Sequence, residues 1–196
     1  NTGGMGAYSP APVVTPEVRA RALREVIMPT IRGMEKDGIP FTGFLYAGLM
    51  IDAQGGVKTL EFNARMGDPE TQPIMMRMKT DFLDVLFAAT ETDGLADYEI
   101  EWDRRVALGV VLAAHGYPMS PPRKGDAISG LPKGKAAEGD GADVMVFHAG
   151  TAEKDGATLT SGGRVLCVTA LGDSVKDAQA KAYAACAQIH FDGMQY

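Results

Sequence analysis

The sequence lacks both a run of basic residues and an apolar segment that could cross a bilayer. Its 19 basic and 25 acidic residues are scattered along 196 positions and give a formal net charge of −6. Because clustered Lys and Arg are needed to neutralise a phosphate backbone, we expect no nucleic-acid partner. The apolar stretches at residues 44–51 and 106–114 are far shorter than the roughly 20 residues of a membrane-spanning helix, and no signal-peptide pattern opens the sequence. We therefore expect neither insertion into a membrane nor secretion.

Cysteine is also scarce, with only two in the sequence. Cys167 lies in an apolar strand-like run and Cys186 in an alanine-rich helix-like run, without the close spacing of a zinc or redox pair. We interpret both as buried reduced thiols. Such thiols fit a reducing compartment, so the predicted location is cytoplasmic.

The sequence begins in a glycine-rich segment, residues 1–6, without an initiator methionine or a preceding strand. We interpret it as part of a longer polypeptide whose N-terminal part is missing. A chain of 196 residues can still bury a core of its own, and its length lies on the border between one domain and two.

The first half predicts helices around a β-hairpin. Thr15 and Pro16 are typical of a helix start, and Pro29 should kink or interrupt that helix. Two strand-like runs follow, at residues 43–51 and 57–65, and the glycine-containing loop between them favours an antiparallel pair. Further helices are expected at residues 69–78 and 81–89.

The second half predicts a small α+β domain. Residues 90–103 are polar and show no apolar period, so we place a boundary there and expect two domains, 1–90 and 91–196. Beyond the boundary we expect three strands and a closing helix, at residues 106–114, 144–149, 164–171 and 174–189.

The second strand of the predicted hairpin carries chemistry on one face. Side chains alternate along a strand, so Glu61, Asn63 and Arg65 share one face, and apolar side chains share the other. Carboxylate and amide oxygens are ligands that Mg²⁺ prefers, and a guanidinium can hold phosphoryl oxygens in a fork. A solvated strand with no function would show the same alternation. We favour a site for Mg²⁺ and phosphate over a solvated strand, because two more carboxylates, Asp68 and Glu70, follow at the end of the same strand.

Several segments resemble the family of phosphoribosylamine–glycine ligases, which are ATP-grasp enzymes. The matching residues lie in order along nearly the whole chain, at positions 1–10, 42–50, 61–73, 108–112 with 116–118, 146–151 and 162–166. The resemblance implies an α+β fold made of the C-terminal part of an ATP-grasp subdomain, with an antiparallel sheet and helices, followed by the small C-terminal domain. It also implies that the subdomain carrying the nucleotide-covering lysine and loop lies in the missing N-terminal part.

The resemblance implies a site and a reaction as well. Glu61 and Asn63 would hold Mg²⁺, or Mn²⁺, on the phosphates of ATP, and Arg65 would face the transferring phosphate. Substrate would contact the opening loop, namely Asn1, Thr2, Gly3 and Gly4, and the side chains of Asp68 and Glu70. In this family ATP phosphorylates the carboxylate of glycine, and the amine of 5-phosphoribosylamine then displaces phosphate to give glycinamide ribonucleotide for purine synthesis. A fragment without the N-terminal part should be inactive.

Two other functions stay open at this point. Another ATP-grasp carboxylate–amine ligase would keep a pair like Glu61 and Asn63. A domain that only binds a nucleotide or a partner protein would need no catalytic Arg65. For Arg164, a hairpin turn explains the preceding glycines as well as a role in binding a substrate phosphate does.

Overall fold

The computed structural model describes residues 3–132 and 142–196. The chain forms two compact units: one combines Asn1–Ser9 with Asp68–Tyr196, and the other is Pro10–Gly67. Among the described residues, no helix has the length and apolar character needed to span a membrane.

The unit of residues 10–67 begins with a helix that changes its winding at a proline. Helix α1 (Pro16–Ala22) starts at Thr15, whose hydroxyl oxygen accepts a hydrogen bond of 3.3 Å from the Val18 amide. A π-helical turn (Leu23–Ile27) then leads into α2 (Met28–Lys36). Because Pro29 has no amide hydrogen to donate to the preceding turn, the regular α-helical ladder is interrupted there. The predicted interruption at Pro29 is confirmed.

The predicted hairpin completes this unit. Strand β2 (Tyr46–Ile51) precedes the loop and strand β3 (Val57–Asn63) follows it, and the two strands pair antiparallel. Asp52 Oδ1 closes the loop by accepting hydrogen bonds from the Gln54 and Gly56 amides, at 3.0 and 2.7 Å. This Asx-type turn explains why the loop needs an aspartate at its start.

The other unit is built on a four-stranded antiparallel sheet. The strands, numbered in chain order and continuing from the hairpin, are β1 (Gly6–Ser9), β4 (Val106–Ala113), β5 (Val144–His148) and β8 (Arg164–Gly172). Their spatial order is β1-β4-β8-β5. A second hairpin pairs β6 (Thr151–Lys154) with β7 (Ala157–Thr160). The strands near residues 106, 144 and 164 were predicted from the sequence, whereas β1, β6 and β7 were not.

Helices cover both faces of this sheet at its centre. The helices found among the described residues of this unit are α3 (Thr71–Arg77), α4 (Phe82–Thr90) and α5 (Val175–Cys186). Helix α5 packs Ala182 and Cys186 against the buried Leu112, Leu166 and Val168 of the sheet. Helix α3 lies on β4 and β8 on the opposite face, where a β-carbon on Gly109 would be only 3.4 Å from Pro73 Cγ. The predicted α+β class is confirmed.

Arg77 fixes the end of α3 to the sheet. Its guanidinium donates to the carbonyl oxygens of Asp103 and Arg105, at 3.0 and 2.9 Å, and to Ser9 Oγ at 2.9 Å. It also lies 5.8 Å from the ring centre of Trp102. The end of β1, the end of α3 and the approach to β4 are therefore held by one side chain.

Both cysteines are buried free thiols, as predicted. Burial raises the pKa of the Cys167 thiol to about 11 and that of Cys186 to about 12. Because the thiolate is the reactive form, both side chains act as packing groups at neutral pH.

Candidate functional site

The polar face of β3 carries a continuous chain of contacts. The side-chain amide of Asn63 donates to Glu61 Oε1 at 3.2 Å, and Arg65 Nη2 donates to Asn63 Oδ1 at 3.4 Å. Arg65 Nη1 also donates to the Met66 carbonyl oxygen at 3.0 Å. The predicted shared face is therefore confirmed as geometry. Glu61 and Arg65 are exposed, and Asn63 is half-buried.

A glycine on the neighbouring strand makes room for Glu61. Gly48 is the cross-strand partner of Glu61, and a β-carbon there would lie 3.1 Å from Glu61 Cγ. The register shifts directly after Gly48, which marks a bulge. Sequence reasoning did not assign Gly48 a role, although a glycine inside a strand is a known signal of a bulge or a close approach.

The oxygens on this face suit a divalent cation that also binds phosphates. Glu61 offers a carboxylate and Asn63 an amide oxygen, which are hard ligands of the kind that Mg²⁺ takes. Among residues 3–132 and 142–196, no group of three or more His, Cys, Asp and Glu side chains could hold a metal ion. In phosphoryl transfer Mg²⁺ is usually held by one or two protein groups together with phosphates and water, so a pair such as Glu61 and Asn63 can be enough on the protein side.

A second polar cluster lies in the unit that contains the sheet, and we call it the Arg164 cluster. Arg164 Nη1 donates to the carbonyl oxygen of Asp68 at 2.7 Å, and Nη2 forms an ion pair with Asp68 Oδ2 at 3.2 Å. The other carboxylate oxygen, Oδ1, accepts a hydrogen bond of 3.0 Å from Gln72 Nε2. Gly4 packs directly on the guanidinium, because a β-carbon at Gly4 would collide with Arg164 Nη1. Three separate chain segments thus meet at one arginine.

Glycines also explain where Arg164 is placed. Gly150 donates to the Arg164 carbonyl oxygen at 2.9 Å, and its carbonyl accepts from the Ser161 amide at 2.7 Å. A β-carbon on Gly150 would lie 2.7 Å from Gly162 Cα, and one on Gly163 would collide with the Tyr117 ring. Two segments that the sequence marked separately, residues 146–151 and 162–166, therefore pack backbone against backbone at the start of β8.

The predicted site residues fall into two groups. Glu61, Asn63 and Arg65 belong to the unit of residues 10–67, and the Arg164 cluster belongs to the other unit. Glu70 precedes α3 as its N-terminal flanking residue, and Gly3 is exposed beside Gly4. Asn1 and Thr2 lie outside the described residues.

Gln72 was missed as a member of the cluster. It carries no charge and follows the conspicuous segment 67–70, so its hydrogen bond to Asp68 could not be read from residue type. Within the described part of the chain, Gln72 Oε1 is buried and has no hydrogen-bond partner.

Comparison with known families gives matches over both ends of the chain. Residues 1–71 match the model for the ATP-grasp (A) domain of phosphoribosylglycinamide synthetase, and residues 107–196 match the model for the C domain of the same enzyme. The chain belongs to the phosphoribosylglycinamide synthetase family. The predicted boundary near residue 90 lies between the two matched regions and stays a prediction.

Individual relatives agree with this family. The chain is 68% identical over 197 aligned residues to phosphoribosylamine–glycine ligase from Ralstonia nicotianae and 58% identical over 194 to that from Vibrio parahaemolyticus. These alignments cover 100% and 99% of this chain, but in both cases 44% of the relative. The chain thus spans less than half the length of the curated relatives it matches.

Solved structures confirm the fold. The crystal structure of phosphoribosylamine–glycine ligase from Thermotoga maritima matches with a TM-score of 0.79 and 37% identity, covering 100% of this chain and 46% of that one. A biotin carboxylase from Campylobacter jejuni matches with a TM-score of 0.64 at 16% identity, covering 97% of this chain and 40% of that one. At that identity the second likeness shows the fold alone.

Proposed function

We propose that this chain is the part of an ATP-dependent ligase that joins glycine to 5-phosphoribosylamine. The observation that carries the proposal is 68% identity over the whole chain to an enzyme named phosphoribosylamine–glycine ligase. The geometry of β3 agrees with it, because Glu61, Asn63 and Arg65 form one contiguous polar face. The two reduced thiols favour a cytoplasmic location for the reaction.

The β3 face would serve the phosphoryl-transfer step. Glu61 and Asn63 would hold Mg²⁺, or Mn²⁺, which neutralises charge on the phosphates of ATP when bound. Arg65 would donate to the oxygens of the γ-phosphoryl group as it moves to the glycine carboxylate. The carboxylate oxygen forms the new bond to phosphorus and ADP leaves. The amine of phosphoribosylamine then attacks the glycyl carbonyl, and the C–O bond to phosphate breaks to release glycinamide ribonucleotide and phosphate.

The Arg164 cluster would orient substrate. Gly3 and Gly4 allow close approach of backbone amides to an anion, since glycine lacks a side chain in the way. Asp68 and Glu70 add carboxylates, and Arg164 holds Asp68 in place. We also assign Asn1 and Thr2 to this substrate loop on the family resemblance.

The N-terminal part that the relatives possess is the proposed partner of this chain within one polypeptide. Helix α4 supports this, because it contains no buried residue and exposes an apolar stripe of Leu83, Leu86 and Phe87. These positions have i, i+3, i+4 spacing, which places them on one face of the helix. Exposed fractions of 57% for Leu83 and 65% for Phe87 are unusual for a helix this apolar.

The proposal is tested by assaying ADP release from ATP with glycine and phosphoribosylamine. The full-length enzyme should turn over only when both substrates and Mg²⁺ are present, and the 196-residue chain by itself should stay at background. Another carboxylate–amine ligase would release ADP with a different acid in place of glycine. A domain that only binds would bind nucleotide without turnover in either form, and that result would refute the proposal.

A further inference from the structure

The contacts of Arg164 connect two segments that lie far apart in the sequence. Its two terminal nitrogens engage the same residue in two ways: Nη1 donates to the main-chain oxygen of Asp68, and Nη2 pairs with its carboxylate. The arginine is therefore bonded both to the backbone of the segment 67–70 and to its side chain. A guanidinium can do this because its donors point in fixed directions in one plane.

The third member of the arrangement is the glycine loop. Gly4 has φ of +82°, and a β-carbon there would lie 3.0 Å from Arg164 Cζ as well as collide with Nη1. The side of Gly4 where a side chain would project is therefore occupied by the guanidinium. Only glycine combines this left-handed conformation with that proximity at no steric cost.

Asp68 is in turn held from both sides. Arg164 engages Oδ2, and Gln72, in the first turn of α3, engages Oδ1 at 3.0 Å. The side chain of Asp68 is nevertheless 45% exposed, and that of Arg164 is 32% exposed. A carboxylate that is fixed by two donors and open to solvent is suited to present a defined acceptor to a ligand.

We propose that Arg164 is a positioning residue that acts through Asp68 and sets the relative position of the Gly3–Gly4 loop and the Asp68 carboxylate. This rests on the proposed function, in which both segments contact substrate. This positioning role differs from direct binding of a substrate phosphate by Arg164, because Nη1 and Nη2 of Arg164 already bond to Asp68. The removal of Arg164 should therefore act on catalysis only while Asp68 is present.

The test uses Arg164→Gln, Asp68→Asn and the double variant in the full-length enzyme. Each single variant should lower kcat/KM for glycine by roughly 10–100-fold, since small misplacements of orienting groups cost rates of this order. The double variant should lose no more than the worse single variant, because the two residues act as one unit. KM for ATP should stay near the wild-type value.

A structural measurement separates this proposal from the proposed function. Amide hydrogen exchange in residues 4–8 and 68–72 should become faster in Arg164→Gln and in Arg164→Lys, because lysine keeps the charge but cannot engage both oxygens at once. This result does not require ligase activity, so it would stand even if the wild-type enzyme failed to make the expected product. Arg123→Gln is the matched control, since Arg123 is likewise a partly exposed arginine in ion pairs, with Asp126 and Asp192, in the same unit. It should leave the exchange of both segments unchanged.

Three results would overturn the proposal. One is that the losses of the two single variants multiply while KM for phosphoribosylamine alone rises, as expected if Arg164 binds substrate directly. Another is that exchange in both segments equals that of the wild type. The third is a fall in melting temperature in Arg164→Lys that accounts for all lost activity through the folded fraction, with faster exchange spread along β8.

Discussion

Asn63 donates a hydrogen bond of 3.2 Å to Glu61 Oε1 from the same face of β3. The two side chains are neighbours because residues two apart along a strand point the same way. A carboxylate and an amide are therefore side by side on one strand, and the amide oxygen of Asn63 accepts from Arg65 Nη2 at 3.4 Å.

In the full-length enzyme, Glu61→Gln keeps the size of the side chain but removes its negative charge. Activity should fall by at least roughly 10–100-fold, which is the usual loss when a group that supports a bound metal is removed. Excess Mg²⁺ should restore part of the activity. The melting temperature without nucleotide should change little, since Glu61 is exposed. Initial rates across a Mg²⁺ titration measure this, with the exposed strand residue Glu153→Gln as control. Normal activity at low Mg²⁺ would contradict the assigned role.

Arg65→Lys tests whether Arg65 acts on the transition state. Lysine keeps a charge but loses the planar fork, so kcat should fall by on the order of 10²–10³, as for loss of one preorganised donor. A rise in KM with kcat unchanged would mean that Arg65 only tethers substrate. A parallel loss of stability would mean that it holds the turn through its 3.0 Å bond to the Met66 carbonyl. Steady-state kinetics and a melting curve distinguish the three.

The sequence was sufficient where local patterns decide the structure. Alternation alone grouped Glu61, Asn63 and Arg65, and Asp52 with its glycines marked the hairpin loop. It was insufficient where contacts join distant positions. The pairing of Arg164 with Asp68 and the backbone contact of Gly150 with Gly162 depend on the register of the sheet, which no local pattern specifies. Strand β1 was missed for the same reason, since its four residues form a strand only by pairing with β4.

Substitution of the apolar stripe on α4 tests the proposed packing of the N-terminal part. In the full-length enzyme, Phe87→Ser should lower the free energy of unfolding by about 1–3 kcal/mol, because a covered aromatic side chain would be lost. In the 196-residue chain the same change should have little effect, since Phe87 is 65% exposed there. Met119→Ser, at a side chain 93% exposed, is the control. Equal effects in both proteins would refute the packing, and a concentration-dependent dimer of the short chain would identify a second copy as the occupant.

A pair of glycine variants tests the backbone contact that places Arg164. Gly150→Ala should destabilise the chain by about 1–3 kcal/mol, the usual range for overpacking, because the new methyl group would lie 2.7 Å from Gly162 Cα. Gly33→Ala should instead stabilise by about 0.5–1 kcal/mol, because a β-carbon in the interior of α2 meets no atom within 4 Å. Urea unfolding of both variants measures the difference. Equal stability of the two would show that the backbones at Gly150 are not in contact.

The stability of the sheet unit should depend on pH through Asp103. Hydrogen bonds from the Arg105 side chain, the nearest of them 2.7 Å long, lower the pKa of the Asp103 carboxyl to about 2. A lowered pKa in the folded state means that the stabilisation is complete above the unfolded value near 3.8 and is lost as the pH falls towards 2. Asp103→Asn should therefore cost about 1–2 kcal/mol at pH 7, and the difference from wild type should shrink between pH 4 and 2. Urea titrations across this range measure it, with the exposed Asp97→Asn as control; a difference independent of pH would contradict the ion pair.

The pairing of β1 with β4 makes the order of assembly differ from the order of synthesis. Gly6 pairs with Val110 and Ser9 with Ala107, so β1, which is synthesised before the other strands of its sheet, has no partner until β4 follows. At typical elongation rates this delay is on the order of 5–20 s, far longer than a hairpin such as β2–β3 needs to form. During that time β1 presents unpaired backbone groups to any other strand nearby. We therefore expect the nascent chain to depend on chaperones during this interval more than the finished protein does.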